Sequence, residues 1–165
     1  MRNALLSASA LAATLAAPAA QSQTAPASAN AIEEIVVTAQ RREESVQDVP
    51  VSITAFGAQA IRDMRVDDPA GLAQHVPNLS AASTLGGGAP IFALRGVSMN
   101  DYSPNQSSPV AVYTDEVYRG TPALMGPFLY DLDRVEVLRG PQGTLYGKNT
   151  TGGAVNFITA RPGHE

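Results

Sequence analysis

Residues able to do chemistry are most concentrated between Asp131 and Pro162, in the stretch DLDRVEVLRGPQGTLYGKNTTGGAVNFITARP. Gly140, Gly143, Gly147, Gly152 and Gly153 punctuate it, and Arg139 and Arg161 close its two apolar runs, Val135–Leu138 and Ala154–Thr159. A strand leading into a glycine-rich turn is what a phosphate cradle needs, with backbone amides and a lysine on the phosphates and a hydroxyl on magnesium. Gly143 to Lys148 is one residue short between its glycines, Asn149 stands where the hydroxyl belongs, and Pro141 removes an amide from the region. Nucleotide binding through Lys148 is therefore rejected. Nucleophilic catalysis fares no better: the chain has no cysteine, and its only histidines are His75 and His164. His75 has no second histidine or carboxylate at metal-ligand spacing, and Asp131 and Asp133 sit in a polar turn where solvation is the simplest account. The expectation is a protein that is not an enzyme and has no cofactor or metal.

A repeated arrangement remains, Leu94-Arg95-Gly96 and Leu138-Arg139-Gly140. Each places an arginine at the end of an apolar run, with a glycine permitting the turn. Ten of the eleven basic residues are arginine, the side chain suited to planar, bidentate partners. Carboxylates for Arg95 and Arg139 are to be sought inside the chain, at Glu136 or Asp115, or on another domain, because a buried unpaired charge is strongly destabilising.

These residues must be positioned by one domain, which is what 165 residues with 44% hydrophobic content allow. The net charge of −4 removes the electrostatic case for nucleic acid. Arg2, the alanine-rich run Ala4–Ala17 and the small residues Ala17-Pro18-Ala19 have the form of a secretory signal peptide, so residues 1–19 are expected to be removed. The polar, small-residue segment 20–31 has no hydrophobic period and is expected to be a flexible tether. Glu33 to Ala39 then forms a short β-prone run, which either pairs with a partner's sheet edge or is an ordinary edge strand of this domain.

Further strands are expected at Val49, Val51 and Ile53 by alternation, at Ile91–Leu94, at Val110–Tyr113 and at Val117-Tyr118. A short helix is expected over Gly57–Met64 with Ile61 and Met64 inward, and a second after Asp68-Pro69 with Leu72 and Val76 inward. Ser80–Ala89 and Ser98–Ser108 have loop composition. The fold class is α+β: a small mixed β-sheet with short helices and long loops.

Several of these residues carry a resemblance. VEVLRGPQGTLYG followed by GGAVNFITARP is similar to the C-terminal half of the plug domain of TonB-dependent outer-membrane receptors. Glu34-Ile35-Val36-Val37-Thr38-Ala39 resembles their TonB box, Val76-Pro77-Asn78-Leu79 their V-P-[GN]-[VL] turn, and Phe92-Ala93-Leu94-Arg95-Gly96 their strand ending in Arg-Gly. The likeness runs over residues 33–162 in order. After the signal peptide expected at 1–19, it implies a tether at 20–45 carrying the TonB box, a plug domain at 46–162, and residues 163–165 at the start of a further region.

In that family the plug fills a barrel of about 22 strands. Glu34, Ile35, Val36, Val37, Thr38 and Ala39 would pair with the periplasmic domain of TonB as an added strand. Arg95 and Arg139 would hold the plug to barrel glutamates. Gly86, Gly87, Asn100, Tyr102, Asn105, Gln106 and Arg119 would lie on loops facing a transported ligand, a scarce nutrient such as a ferric siderophore. The setting implied is the outer membrane, reached through the barrel.

Two departures from the family pattern stand out. Asp115 is followed by Glu116 where the family has Asp-Gly, so a longer connection than a two-residue turn is expected there. A barrel needs on the order of 220 residues before its loops, and the sequence given runs only to Glu165. The expectation is thus a plug truncated before its barrel and not transport-competent alone. The alternative is a free periplasmic plug-like protein that binds a ligand or occupies TonB.

Overall fold

A computed structural model of the chain describes residues 34–83, 90–99, 103, 105–124 and 129–163. The expected signal peptide, the segment 20–33 and the candidate residues Gly86, Gly87, Asn100 and Tyr102 lie outside the described residues. In chain order the strands are β1 (Val36–Val37), β2 (Glu44–Ser45), β3 (Ile53–Gly57), β4 (Leu79–Ser83), β5 (Pro90–Leu94), β6 (Val110–Thr114), β7 (Val117–Tyr118), β8 (Leu132–Arg139) and β9 (Gly153–Thr159). Helix α1 spans Ala58–Asp63 and α2 spans Gly143–Tyr146, with single 3-10 turns at Gly71–Gln74 and Pro122–Leu124.

The two apolar runs of the glycine-rich stretch are the spine of the fold. Strands β8 and β9 pair antiparallel from Leu132↔Thr159 to Arg139↔Gly153, inside a five-stranded mixed sheet ordered β3-β8-β9-β6-β7. Strand β3 adds antiparallel to β8, and β6 adds parallel to β9. Side chains alternate across these strands, and both faces of the sheet are covered. Val135 and Val137, Val155 and Phe157, and Val110 and Val112 point to one face, where Ile61 of α1, Leu72, Val76 and Phe92 close the larger core. Leu138, Ala154, Ala111 and Tyr113 point to the other, where Val37, Ala39 and Val49 of the N-terminal segment close a second, smaller core.

Gly153 is where this packing is tightest. Its φ is +149°, and a Cβ there would collide with the Leu138 carbonyl oxygen and the Leu94 side chain. Glycine is required by close approach and by conformation together.

Several expected elements fall differently. Residues 49–52 alternate but bend at Pro50 and Val51, and the strand begins at Ile53; Val49 is buried in the second core without a ladder partner. Asp68 Oδ1 accepts the Gly71 amide at 2.6 Å, but the element that follows is one 3-10 turn whose N-cap is Ala70, not a helix opened by Asp68 and Pro69. Ser80–Ser83, expected as loop, belongs to β4, which pairs with β5 from Leu79↔Leu94 to Ser83↔Pro90. Alanine and serine carry little strand signal of their own, and the partner strand supplies the pairing. The longer connection expected after Thr114 is also corrected. Thr114 pairs directly with Val117, and Asp115 and Glu116 sit at φ 47° and 66°, a two-residue turn with both residues left-handed. Asp115 supplies the compensation: its carboxylate accepts the Thr159 amide and hydroxyl, each at 2.9 Å, tying the turn to the end of β9.

Candidate functional site

Glu34–Ala39 is not a strand without a sheet. Val36 pairs with Ser45 and Val37 with Glu44 in an antiparallel ladder, and Val46 N–H donates to the Ile35 carbonyl at 3.0 Å. Alternation sets its faces: Val37 and Ala39 are buried in the second core, Ile35 packs against it, and Val36 is 44% exposed. The same alternation sets its edges. Main-chain groups of Ile35 and Val37 point at β2, so those of Val36 and Thr38 point outward. The turn that follows is pinned by Arg41, whose Nε donates to the Leu145 carbonyl at 3.0 Å and whose guanidinium lies 5.5 Å from the centre of the Tyr146 ring.

Beneath this segment lies a polar cluster inside the second core. Glu136, in the middle of β8, is 0% exposed. Its Oε1 accepts the Thr38 amide at 2.7 Å, the Thr38 hydroxyl at 3.2 Å and Arg134 Nε at 2.9 Å. Asn156, opposite it on β9, donates to Glu136 Oε2 at 3.4 Å and to the Tyr146 hydroxyl at 2.9 Å. Burial works against the charge of Arg134, but hydrogen bonds to Glu136 and Asp133 outweigh it and raise the guanidinium pKa above its ordinary value. Of this cluster, sequence reasoning singled out Thr38 as a strand residue and Glu136 only as a possible arginine partner. The available signal was a polar residue at the centre of each spine strand, Val135-Glu136-Val137 and Val155-Asn156-Phe157, facing one another in register.

Arg95 and Arg139 come together beside the start of β3. Arg95 Nη2 donates to Ser52 Oγ at 3.4 Å and Arg139 Nη2 to the Ile53 carbonyl at 3.3 Å, while the Arg139 amide binds the Ser52 carbonyl at 2.8 Å. Arg95 Nη1 comes within 3.8 Å of the position a Cβ on Gly140 would take. The internal carboxylates considered for them are engaged elsewhere, Glu136 by Arg134 and Asp115 by Thr159. Among the described residues neither arginine has a salt bridge, and Arg139 Nε is buried without a hydrogen-bond partner.

Of the described loop candidates, Asn105 and Gln106 are exposed in a turn closed by the Gln106 amide on the Ser103 carbonyl. Arg119 folds back on its own hairpin, donating through Nε to Thr114 Oγ1 at 3.2 Å. Among the described residues no group of three or more histidine or acidic side chains is placed to hold a metal ion.

Fold and site define a class: a small α+β domain around a mixed sheet, with an N-terminal hairpin over one face and two arginines converging beyond the end of β8. The family model for the TonB-dependent receptor plug domain matches residues 45–154, and the chain belongs to that family. The pesticin receptor of Yersinia pestis is 35% identical over 134 residues, covering 78% of this chain and 19% of the relative. The ferrichrome outer membrane transporter/phage receptor of Escherichia coli is 28% identical over 134 residues, covering 76% and 16%. Among solved structures, the ferric yersiniabactin uptake receptor of Yersinia pestis superposes with a TM-score of 0.61 at 35% identity, over 68% of this chain and 17% of that one. The ferripyoverdine receptor of Pseudomonas aeruginosa shares the fold, with a TM-score of 0.61 over 79% of this chain and 17% of that one. The chain thus spans about a fifth or less of the length of these relatives.

Proposed function

We propose that the chain is the gating plug of a TonB-dependent receptor of the outer membrane, working in energy-coupled uptake of a scarce nutrient of the ferric-siderophore kind. Glu34–Ala39 is the segment that TonB's periplasmic domain takes up as an added strand. Arg95 and Arg139 hold the plug to carboxylates of a surrounding barrel. Loops around Gly86-Gly87, Asn100–Gln106 and Arg119 face the ligand. The nutrient class rests on a relative described as the ferric yersiniabactin uptake receptor.

The observation that carries the reading is the arginine pair. One guanidinium bonds Ser52 and the other the Ile53 carbonyl, one of them with a buried donor lacking a partner among the described residues, while the internal carboxylates considered, Glu136 and Asp115, are committed elsewhere. Such a pair is stable when a second protein element brings the negative charge. A barrel wall would do this where the plug meets it.

The strand assignment has a direct test. A peptide spanning Glu33–Gln40 should bind TonB's periplasmic domain, and Val36→Pro should abolish binding, because the Val36 amide lies on the outward edge that an added strand would use. Equal binding of both peptides by calorimetry would remove the assignment.

A further inference from the structure

We propose that Glu136 is a positioning residue that latches Glu34–Ala39 by its outer edge, so that a partner strand can add to that edge only after the carboxylate releases Thr38. The proposal rests on the reading of Glu34–Ala39 as the partner-pairing segment and names what regulates it.

Three observations converge on the latch. The first is edge geometry. Strand β1 satisfies its inner edge on β2, and the outward Thr38 amide is the donor an added strand would need next to Val36. That amide is already bonded to Glu136 Oε1 at 2.7 Å. The second is charge. Among the described residues Glu136 is the one charged side chain that is fully buried, and two of its hydrogen bonds come from Thr38. Arg134 closes the ring, its Nε on Glu136 Oε1 and its Nη2 on the Thr38 hydroxyl at 3.2 Å. The third is access. An open groove of about 360 Å³ runs along Glu34–Val36 against the start of α1, with Asp133 and Arg134 in its lining.

The latch is suited to release. A buried carboxylate stripped of donors is costly, but here the chain that supplies the Thr38 donors is also the chain that covers the face. When residues 34–39 leave, water reaches Glu136 as Thr38 departs, while Arg134 and Asn156 stay on the sheet. The exchange is of protein for solvent hydrogen bonds, so the hold is moderate and a competing strand can overcome it. Occupied, the latch hides one outward donor; released, the segment is free to pair.

Hydrogen exchange on the full chain tests this. In Glu136→Gln, which keeps the shape but loses the charge, the hydrogen-bonded amides within residues 34–39, that of Thr38 first, should exchange at least about tenfold faster, with β8 and β9 as protected as in the wild type. Thr38→Val leaves Glu136 and Arg134 in place and should give a smaller, several-fold acceleration confined to the same segment. That second variant decides the matter if Glu136→Gln does not fold. Unchanged exchange at 34–39 in the folded variants, or acceleration shared equally by β8 and β9, would overturn the latch. Affinity for TonB's periplasmic domain should rise in step with the opened fraction. Faster exchange with unchanged affinity would leave the latch standing and overturn instead the assignment of Glu34–Ala39 to TonB.

Discussion

Gly153 shows how a single residue lets the two halves of the glycine-rich stretch meet. It starts β9 opposite Arg139, and its Cα hydrogen occupies the only space between the Leu138 carbonyl and the Leu94 side chain. Leu138 carbonyl is backbone of the central strand and cannot yield. Gly153→Ala should therefore destabilise the domain by about 2–4 kcal/mol, from overpacking plus the cost of φ +149° for an L side chain. Chemical denaturation would register it as a lowered midpoint at unchanged slope. Gly143, with open space around its Cβ position, is the control, and alanine there should change little. The two arginines belong to this scale as well. Arg95 itself adopts φ 53°, a left-handed arginine whose guanidinium reaches Ser52 while that of Arg139 reaches the neighbouring Ile53 carbonyl.

At the scale of elements, strand pairs with strong apolar alternation were legible and those defined by their partners were not. Val135–Leu138 and Ala154–Thr159 declared themselves through β-branched residues, and both fall within the spine strands. Leu79–Ser83 has one large apolar residue and depends on β5 for its pairing, so nothing local announced it. The hairpin of β6 and β7 failed for a different reason. Its sequence, Asp115-Glu116, lacks the glycine that marks a turn with two left-handed residues, and the compensation comes from Thr159, 44 residues away. Likewise the β-branched residues of 33–39 marked that run as β-prone, but nothing local showed that Glu136 would hold it, since only the register of β8 and β9 places Glu136 and Asn156 together. The strain in the hairpin is measurable. Glu116→Gly should stabilise the domain by about 0.5–1 kcal/mol, the left-handed penalty less the entropy glycine adds to the unfolded chain. The ion pair it removes, Arg41 with Glu116 at 4.0 Å, is exposed and contributes little. A higher melting temperature checks this, and a lower one would mean that Glu116 does more than span the turn.

At the scale of the domain, the described residues are organised around one five-stranded sheet with unlike faces. The face under α1 and the β4–β5 hairpin is apolar throughout its buried strand positions, whereas the face under the N-terminal segment carries Glu136, Asn156, Tyr113 and Tyr146. That asymmetry makes the N-terminal cover the layer most sensitive to ionisation. Burial pushes the Tyr146 hydroxyl above its ordinary pKa, with the charge of Glu136 adding to the shift against the Asn156 hydrogen bond and Arg41. Burial likewise raises Tyr113, followed by its neighbour Tyr118. The sign follows from linkage. Below the unfolded tyrosine pKa, near 10.0, both states keep these protons and the contribution is whole. Above it the unfolded chain gives up protons that the folded chain retains, so stability falls as pH rises. Melting temperature should therefore decline between roughly pH 9.5 and 11. The decline should be shallower in Tyr146→Phe, which starts lower because Asn156 loses the hydroxyl it donates to. If the two profiles ran parallel, Tyr146 would not be among the groups responsible. If the wild-type profile were flat, neither Tyr113 nor Tyr146 would differ in proton affinity between the folded and unfolded chains. The expected result places the alkaline weakness on the face covered by Glu34–Ala39, the same layer that the proposed partner must lift.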